Sequence, residues 1–133
     1  MRSITQIIIH CSATPEGKDF SVSDIDRWQR QRGFKIVGYH YVIRLDGTIE
    51  QGRPLEMIGA HCTGHNAHSI GICYIGGLDR SGKPKDTRTQ VQKDVLWSLV
   101  KSQQKRFPSA TVHGHREFAN KTCPCFEVKE EFC

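Results

Sequence analysis

Apolar residues first gather at Ile7-Ile8-Ile9, a β-branched run without a polar member, as expected of an interior strand covered on both faces. A strand is therefore predicted over Thr5 to His10, with His10 at its exit. Ser21 or Ser23 is suited to cap a following helix in which Ile25, Trp28 and Gln29 share a face, and Gly33 is placed to end it. The segment Asp19 to Gly33 is read as that helix. Gly38 to Arg44 is rich in Tyr, Val and Ile, and Leu45-Asp46-Gly47-Thr48 supplies an Asp-Gly turn, so a hairpin is expected.

Ser69 to Ile75 is a second apolar strand, closed by Gly76-Gly77, and the polar stretch Asp79 to Asp86 with Gly82 and Pro84 reads as a surface loop. Thr87 and Thr89 are each followed three residues later by Gln, a capping-box pattern, and open a long helix to about Arg106. Val91, Val95, Leu96, Leu99 and Val100 form its expected apolar stripe. Thr111 to His113 predicts a last short strand, and Glu127 to Phe132 a final helical turn.

At 133 residues the chain fits one domain, 1–133, able to bury a core without disulfide staples. No apolar stretch approaches the roughly 20 residues that span a bilayer, so no membrane partner is expected. The net charge of +5 is spread along the chain rather than gathered in one run, which favours solubility over nucleic-acid binding. The opening Met1-Arg2-Ser3-Ile4-Thr5-Gln6 lacks the features of a secretory leader, so synthesis in the cytoplasm is expected. In that setting Cys11, Cys62, Cys73, Cys123, Cys125 and Cys133 read as thiols or metal ligands rather than a disulfide framework.

The chemistry-bearing residues are dispersed. His10 at the strand exit, His115 in Thr111-Val112-His113-Gly114-His115, and Cys123 beside Pro124 look like one three-ligand zinc site with a fourth position open. Zinc favours four tetrahedral imidazole and thiolate ligands, and three protein ligands plus water is the catalytic pattern. The competing reading is a hydrogen-bonded core histidine and a buried apolar cysteine. His113 and His115 lie two positions apart, so on a strand both point to one face and either can reach the metal. Cys11 and Cys125 are alternatives, disfavoured because neighbouring strand residues point oppositely. His65 and His68 are candidates for a second metal.

Six motifs follow one another: Ile9-His10-Cys11-Ser12-Ala13-Thr14, Val37-Gly38-Tyr39-His40-Tyr41, Arg44-Leu45-Asp46-Gly47-Thr48-Ile49, Ser69-Ile70-Gly71-Ile72, His115-Arg116-Glu117 and Lys121-Thr122-Cys123-Pro124. In this order they resemble the zinc N-acetylmuramoyl-L-alanine amidases, a family that includes short phage lysozymes of amidase type and animal peptidoglycan-recognition proteins. The likeness spans Thr5 to about Phe132. It implies an α/β fold of one domain, a central mixed β-sheet with flanking helices, and one zinc ion at the base of a surface groove. It assigns the metal to His10, His115 and Cys123, leaving His113 outside, and matches Tyr39 and Lys121 to the family's catalytic tyrosine and lysine. His61 and Asn66 match the loop bordering the substrate groove.

The implied reaction is hydrolysis of the amide joining N-acetylmuramic acid to L-alanine in peptidoglycan, with a monomer acting on the cell wall after release from the cytoplasm, as endolysins do. The rival from another class is a module that binds peptidoglycan without cutting it. Joint presence of Tyr39, Lys121 and Cys123 counts against that rival. Two departures stand out: Asn120 where proline is frequent, and Cys125 where a small residue such as Gly or Ser is common.

Overall fold

A computed structural model describes residues 1–132; Cys133 lies outside them. In chain order the elements are β1 (Gln6–Cys11), β2 (Thr14–Pro15), α1 (Val22–Gln31), β3 (Tyr41–Ile43), β4 (Ile49–Gln51), β5 (Ser69–Tyr74), β6 (Gly77–Leu78), α2 (Gln90–Arg106), β7 (Thr111–Gly114) and α3 (Val128–Phe132). Two 3₁₀ turns, Asn66–His68 and His115–Glu117, stand before β5 and after β7. Five strands form one sheet in the order β4-β3-β5-β1-β7. All neighbours are parallel except the β3–β4 hairpin, so the sheet is mixed, as expected.

The apolar run is buried because it is central. β1 pairs with β5 on one side and β7 on the other, and Ile7, Ile8 and Ile9 are inaccessible to solvent. Alternation then sorts the side chains. Ile7, Ile9, Ile70, Ile72 and Val112 join Leu96, Leu99 and Val100 of α2 and Val128 of α3 in the larger core. Val42 and Cys73 face the other way and pack with Ile25 of α1, Val37 and Ile75. His10 is in register with Cys73, which turns its imidazole toward the α1 side.

Capping decides where the helices begin. Ser21, not Ser23, caps α1: its hydroxyl accepts the Asp24 N–H and the Asp24 carboxylate accepts the Ser21 N–H, a reciprocal pair. The helix is shorter than Asp19 to Gly33 because Asp19 is engaged elsewhere, holding Arg44 at 2.6 Å and the Leu45 N–H at the hairpin turn. In α2 the cap is Thr89, while the Thr87 hydroxyl accepts the Gly77 N–H.

The α2 stripe also differs from expectation. Val91 is exposed, and the buried face runs through Gln92, Leu96, Leu99, Val100 and Gln103. Gln92 is buried because every part of its amide is used: its oxygen accepts the Thr89 N–H, and its nitrogen donates to the carbonyls of Ile75 and Ile43. Val91 instead covers Gly47, the turn residue whose φ of +89° suits glycine.

The expected strand Gly38 to Arg44 is ordered as a ladder only from Tyr41 to Ile43. Residues 38 to 40 are tied by irregular bonds: the Gly38 N–H donates to the Gln29 side chain, its carbonyl accepts the Ala60 N–H, and Tyr39 accepts the Arg53 N–H. The small parallel pair β2–β6 has no counterpart among the expected elements. The five described cysteines, Cys11, Cys62, Cys73, Cys123 and Cys125, are free thiols. Among the described residues no helix is long and apolar enough to cross a membrane.

His40 is a fully buried fastener of the sheet. Its Nδ1 accepts the Gly71 N–H at 3.0 Å, which places the proton on Nε2, where it is donated to the Met57 carbonyl at 2.8 Å. Burial drives its pKa down from 6.5 to about 4. The unfolded chain therefore binds the proton first as pH falls, and the contribution of a neutral His40 is complete above pH 6.5 and lost between there and about pH 4. Roughly 3 kcal/mol is at stake. Denaturation midpoints measured across this range should fall with acidification, and His40→Gln, though less stable at pH 7, should show a flatter pH dependence.

Candidate metal centre and groove

Parallel pairing brings the two imidazoles together. Ile8 is in register with His113, so His115, two residues on, arrives beside His10. Their Nδ1 atoms lie 3.2 Å apart. Tetrahedral zinc bound 2.0–2.1 Å from each nitrogen requires about 3.3 Å between them, so the spacing suits an ion. Cys123 completes the set, and the three ligand atoms all lie within 4.8 Å of one another. Among the described residues this is the one group of three or more His, Cys, Asp or Glu side chains able to hold a metal.

Cys123 reaches the sheet through a loop fastened at several points. The Tyr74 hydroxyl, fully buried in the sheet, donates to the Pro124 carbonyl at 2.6 Å. The Cys11 N–H donates to the Cys123 sulfur at 3.2 Å. Gly114 lies against Pro124, where an added Cβ would sit 3.0 Å from the proline ring. Beyond Cys123, Arg88 pairs with both Asp86 and Glu131 and lies 3.4 Å over the Phe126 ring, tying α3 to the segment before α2.

The other nitrogen of His10 is also committed. His10 Nε2 lies 2.8 Å from His61 Nδ1, and His61 Nε2 lies 3.2 Å from the Ser69 hydroxyl. If Nδ1 of His10 serves a cation, its proton resides on Nε2 and is donated to His61, whose own proton then goes to Ser69. Two glycines make the room. A Cβ at Gly71 or at Gly59 would stand 2.6 Å from His61 Cδ2. Burial, reinforced by His61, His115 and Lys121, holds the His10 pKa well below its usual range. Burial and Lys121 lower that of His115, and burial brings His61 to about 3. Neutral imidazoles with free lone pairs are what a cation needs.

The remaining candidates fall outside the trio. His113 bonds Glu117 at 2.9 Å and the Thr111 hydroxyl. Cys11 and Cys125 face each other at 3.9 Å. The hydrogen bond with Cys123, together with burial, pushes the Cys11 thiol far up, and burial with Cys11 pushes Cys125 to about 11, so both stay protonated. His65 stacks on Phe118 and lies 3.2 Å from Gln6, and His68 contacts the Ser3 carbonyl.

Through His115 the trio meets a groove of about 350 Å³, lined also by Tyr39, His61, Asn66, Phe118 and Lys121 among others. The Tyr39 ring lies 5.1 Å from that of His10, and burial raises the phenol pKa well above 10, keeping its proton. Lys121 is exposed at the groove, near enough for its charge to act on His10 and His115. Asn66 accepts the N–H groups of His61 and Cys62, both at 2.9 Å, so its oxygen shapes the loop. Ser69, Gly59 and Gly71 escape a reading by residue type. The available signal was glycine inside a strand, which marks close approach by another group.

A groove with an open-sided His-His-Cys set on a mixed sheet defines a metallohydrolase-like centre. Residues 1–126 match the family model described as N-acetylmuramoyl-L-alanine amidase, and the chain belongs to that family. Its reaction class is accordingly amide hydrolysis in peptidoglycan. It is 39% identical over 125 residues to the endolysin of Klebsiella phage KP32, covering 94% of this chain and 83% of that one. The structure of N-acetylmuramoyl-L-alanine amidase LysC from Clostridium intestinale URNW superposes with a TM-score of 0.84 at 27% identity, over 98% of this chain and 83% of the other. A mutant of Drosophila PGRP-LB in complex with tracheal cytotoxin gives 0.78 at 27% identity, over 98% and 80%.

The glycine beneath His61 yields a direct test. Gly71→Ala should dislodge His61 and weaken metal binding about 10- to 100-fold, the cost usual for losing a partner behind a ligand. Competition with a chromophoric chelator would measure this, with circular dichroism checking that the fold persists.

Proposed function

We propose that the protein cleaves the amide between the lactyl group of N-acetylmuramic acid and the L-alanine of the stem peptide, as a monomer carrying one zinc ion on His10, His115 and Cys123. The carrying observation is the convergence of three ligand atoms within 4.8 Å, against a groove that also holds Tyr39 and Lys121. When bound, zinc supplies Lewis acidity toward a carbonyl and lowers the pKa of water to near neutrality.

The chain's own groups do the rest. Lys121 brings a positive charge toward the carbonyl oxygen, where negative charge grows as water adds, stabilising the transition state more than the ground state. Tyr39, kept protonated by burial, donates a hydrogen bond to that charge or to the water. His61 orients His10 from behind while bordering the groove, and Asn66 holds the His61 loop and offers its amide nitrogen to substrate. Likeness to phage endolysins supports a lytic setting, with synthesis in the cytoplasm and action on the wall once the membrane is breached.

Purified protein should release stem peptide from a muramoyl tripeptide, lose that activity on complete chelation and regain it with zinc. Turnover that persists without metal would end this reading, and retention of wall fragments without cleavage would favour the binding module. Lys121→Ala should keep one zinc per chain while kcat falls about 10²- to 10³-fold, the usual cost of removing one oxyanion donor.

A further inference from the structure

Beside the candidate metal centre lies a second pair of sulfurs that the ligand set does not use. Cys11 Sγ and Cys125 Sγ are 3.9 Å apart, although they stand 114 positions apart in the chain. Cys11 ends β1, one residue after His10, and Cys125 follows Cys123 by two. The pair therefore spans the same two segments that carry His10 and Cys123 of the trio.

The surroundings leave the two sulfurs facing each other. Gly77 lies against both: a Cβ added there would stand 2.5 Å from Cys11 Sγ, and its carbonyl accepts the Cys125 thiol at 3.3 Å. Cys125 has a φ of +69°, the left-handed region that glycine occupies more easily than any residue with a side chain. Glycine would relieve that strain; cysteine brings a sulfur to Cys11. Cys125 is half-buried and Cys11 buried, so one thiol is open to a reagent and the other waits behind it. Bonded sulfurs lie about 2.0 Å apart, so the pair has about 1.9 Å to close.

We propose that Cys11 and Cys125 form a disulfide site, closed by a disulfide oxidant such as oxidised glutathione, and that the bond clamps the Cys123 loop to β1. For its setting, an oxidising space beyond the cytoplasm, this rests on the amidase reading. The deprotonated Cys125 sulfur attacks one glutathione sulfur, a mixed disulfide forms and one glutathione leaves. The deprotonated Cys11 sulfur then attacks Cys125 and displaces the second glutathione. Two protein thiols are oxidised, one glutathione disulfide is reduced, and the two protons pass through water to the departing thiolates. The Cys123 contact and burial keep Cys11 protonated, and burial does so for Cys125, so exchange is slow and the oxidant must be in excess.

Zinc-loaded protein held with excess oxidised glutathione should lose two of its six thiols, counted after denaturation, and peptide mapping should join Cys11 to Cys125. The link closes most of the chain into one loop, so the thermal midpoint should rise by roughly 10 °C and return with dithiothreitol. Transfer of zinc to a chelator should slow in the oxidised protein, because the Cys123 loop can no longer swing away from β1. Cys125→Ser and Cys125→Gly should fold and respond to the oxidant in neither measurement. A bond mapped to Cys123, glutathione retained on Cys125, or a full thiol count would overturn the site. A mapped bond with midpoint and zinc transfer unmoved would overturn the clamp. None of these readouts uses cleavage, so a chain that forms the bond yet leaves muramoyl peptides intact counts against the amidase reading alone.

Discussion

Both ring nitrogens of one buried side chain, His10, are spoken for, and the rest of the site is arranged around that fact. Nδ1 meets His115 at 3.2 Å and Nε2 meets His61 at 2.8 Å. An imidazole free on one edge can rotate about its last torsion. Clamped on both edges it presents its lone pair in one direction, so a cation meets a preformed partner. The demands on the neighbours follow. β7 must lie parallel and in register to deliver His115, Gly71 and Gly59 must lack side chains to admit His61, and the loop of Cys123 must return to the sheet under Tyr74.

Much of this was legible because it follows from simple periodicities. The Ile7-Ile8-Ile9 run announced a central strand and the Asp-Gly pair a hairpin, and His10, His115 and Cys123, which looked like one group in the sequence, stand together. What the sequence concealed has a common cause, the use of polar groups inside. Gln92 took the core position that hydrophobic counting gave to Val91, because its amide satisfies three backbone groups that an apolar residue would leave unpaired. His40 fastens the sheet through two backbone contacts far apart in sequence, which no local pattern reveals. Spacing alone put His113 and His115 on one face; the family likeness implied His115, and the register is what stands it beside His10.

The groove has a division of labour. Toward the His-His-Cys set it is built for tight geometry, with side chains buried and fixed by mutual bonds. Along its walls stand the cations of Arg32 and Lys121 and the amides of Gln29 and Asn66.

His10 and Cys123 stand near opposite ends of the chain, with β1 inserted between strands that follow it. On the proposed ligand set, a ribosome must deliver nearly the whole polypeptide before the Cys123 sulfur can join the two imidazoles. Capacity for the ion would then arrive late in synthesis, coupled to closure of the Cys123 loop, and a shortened translation product would lack it.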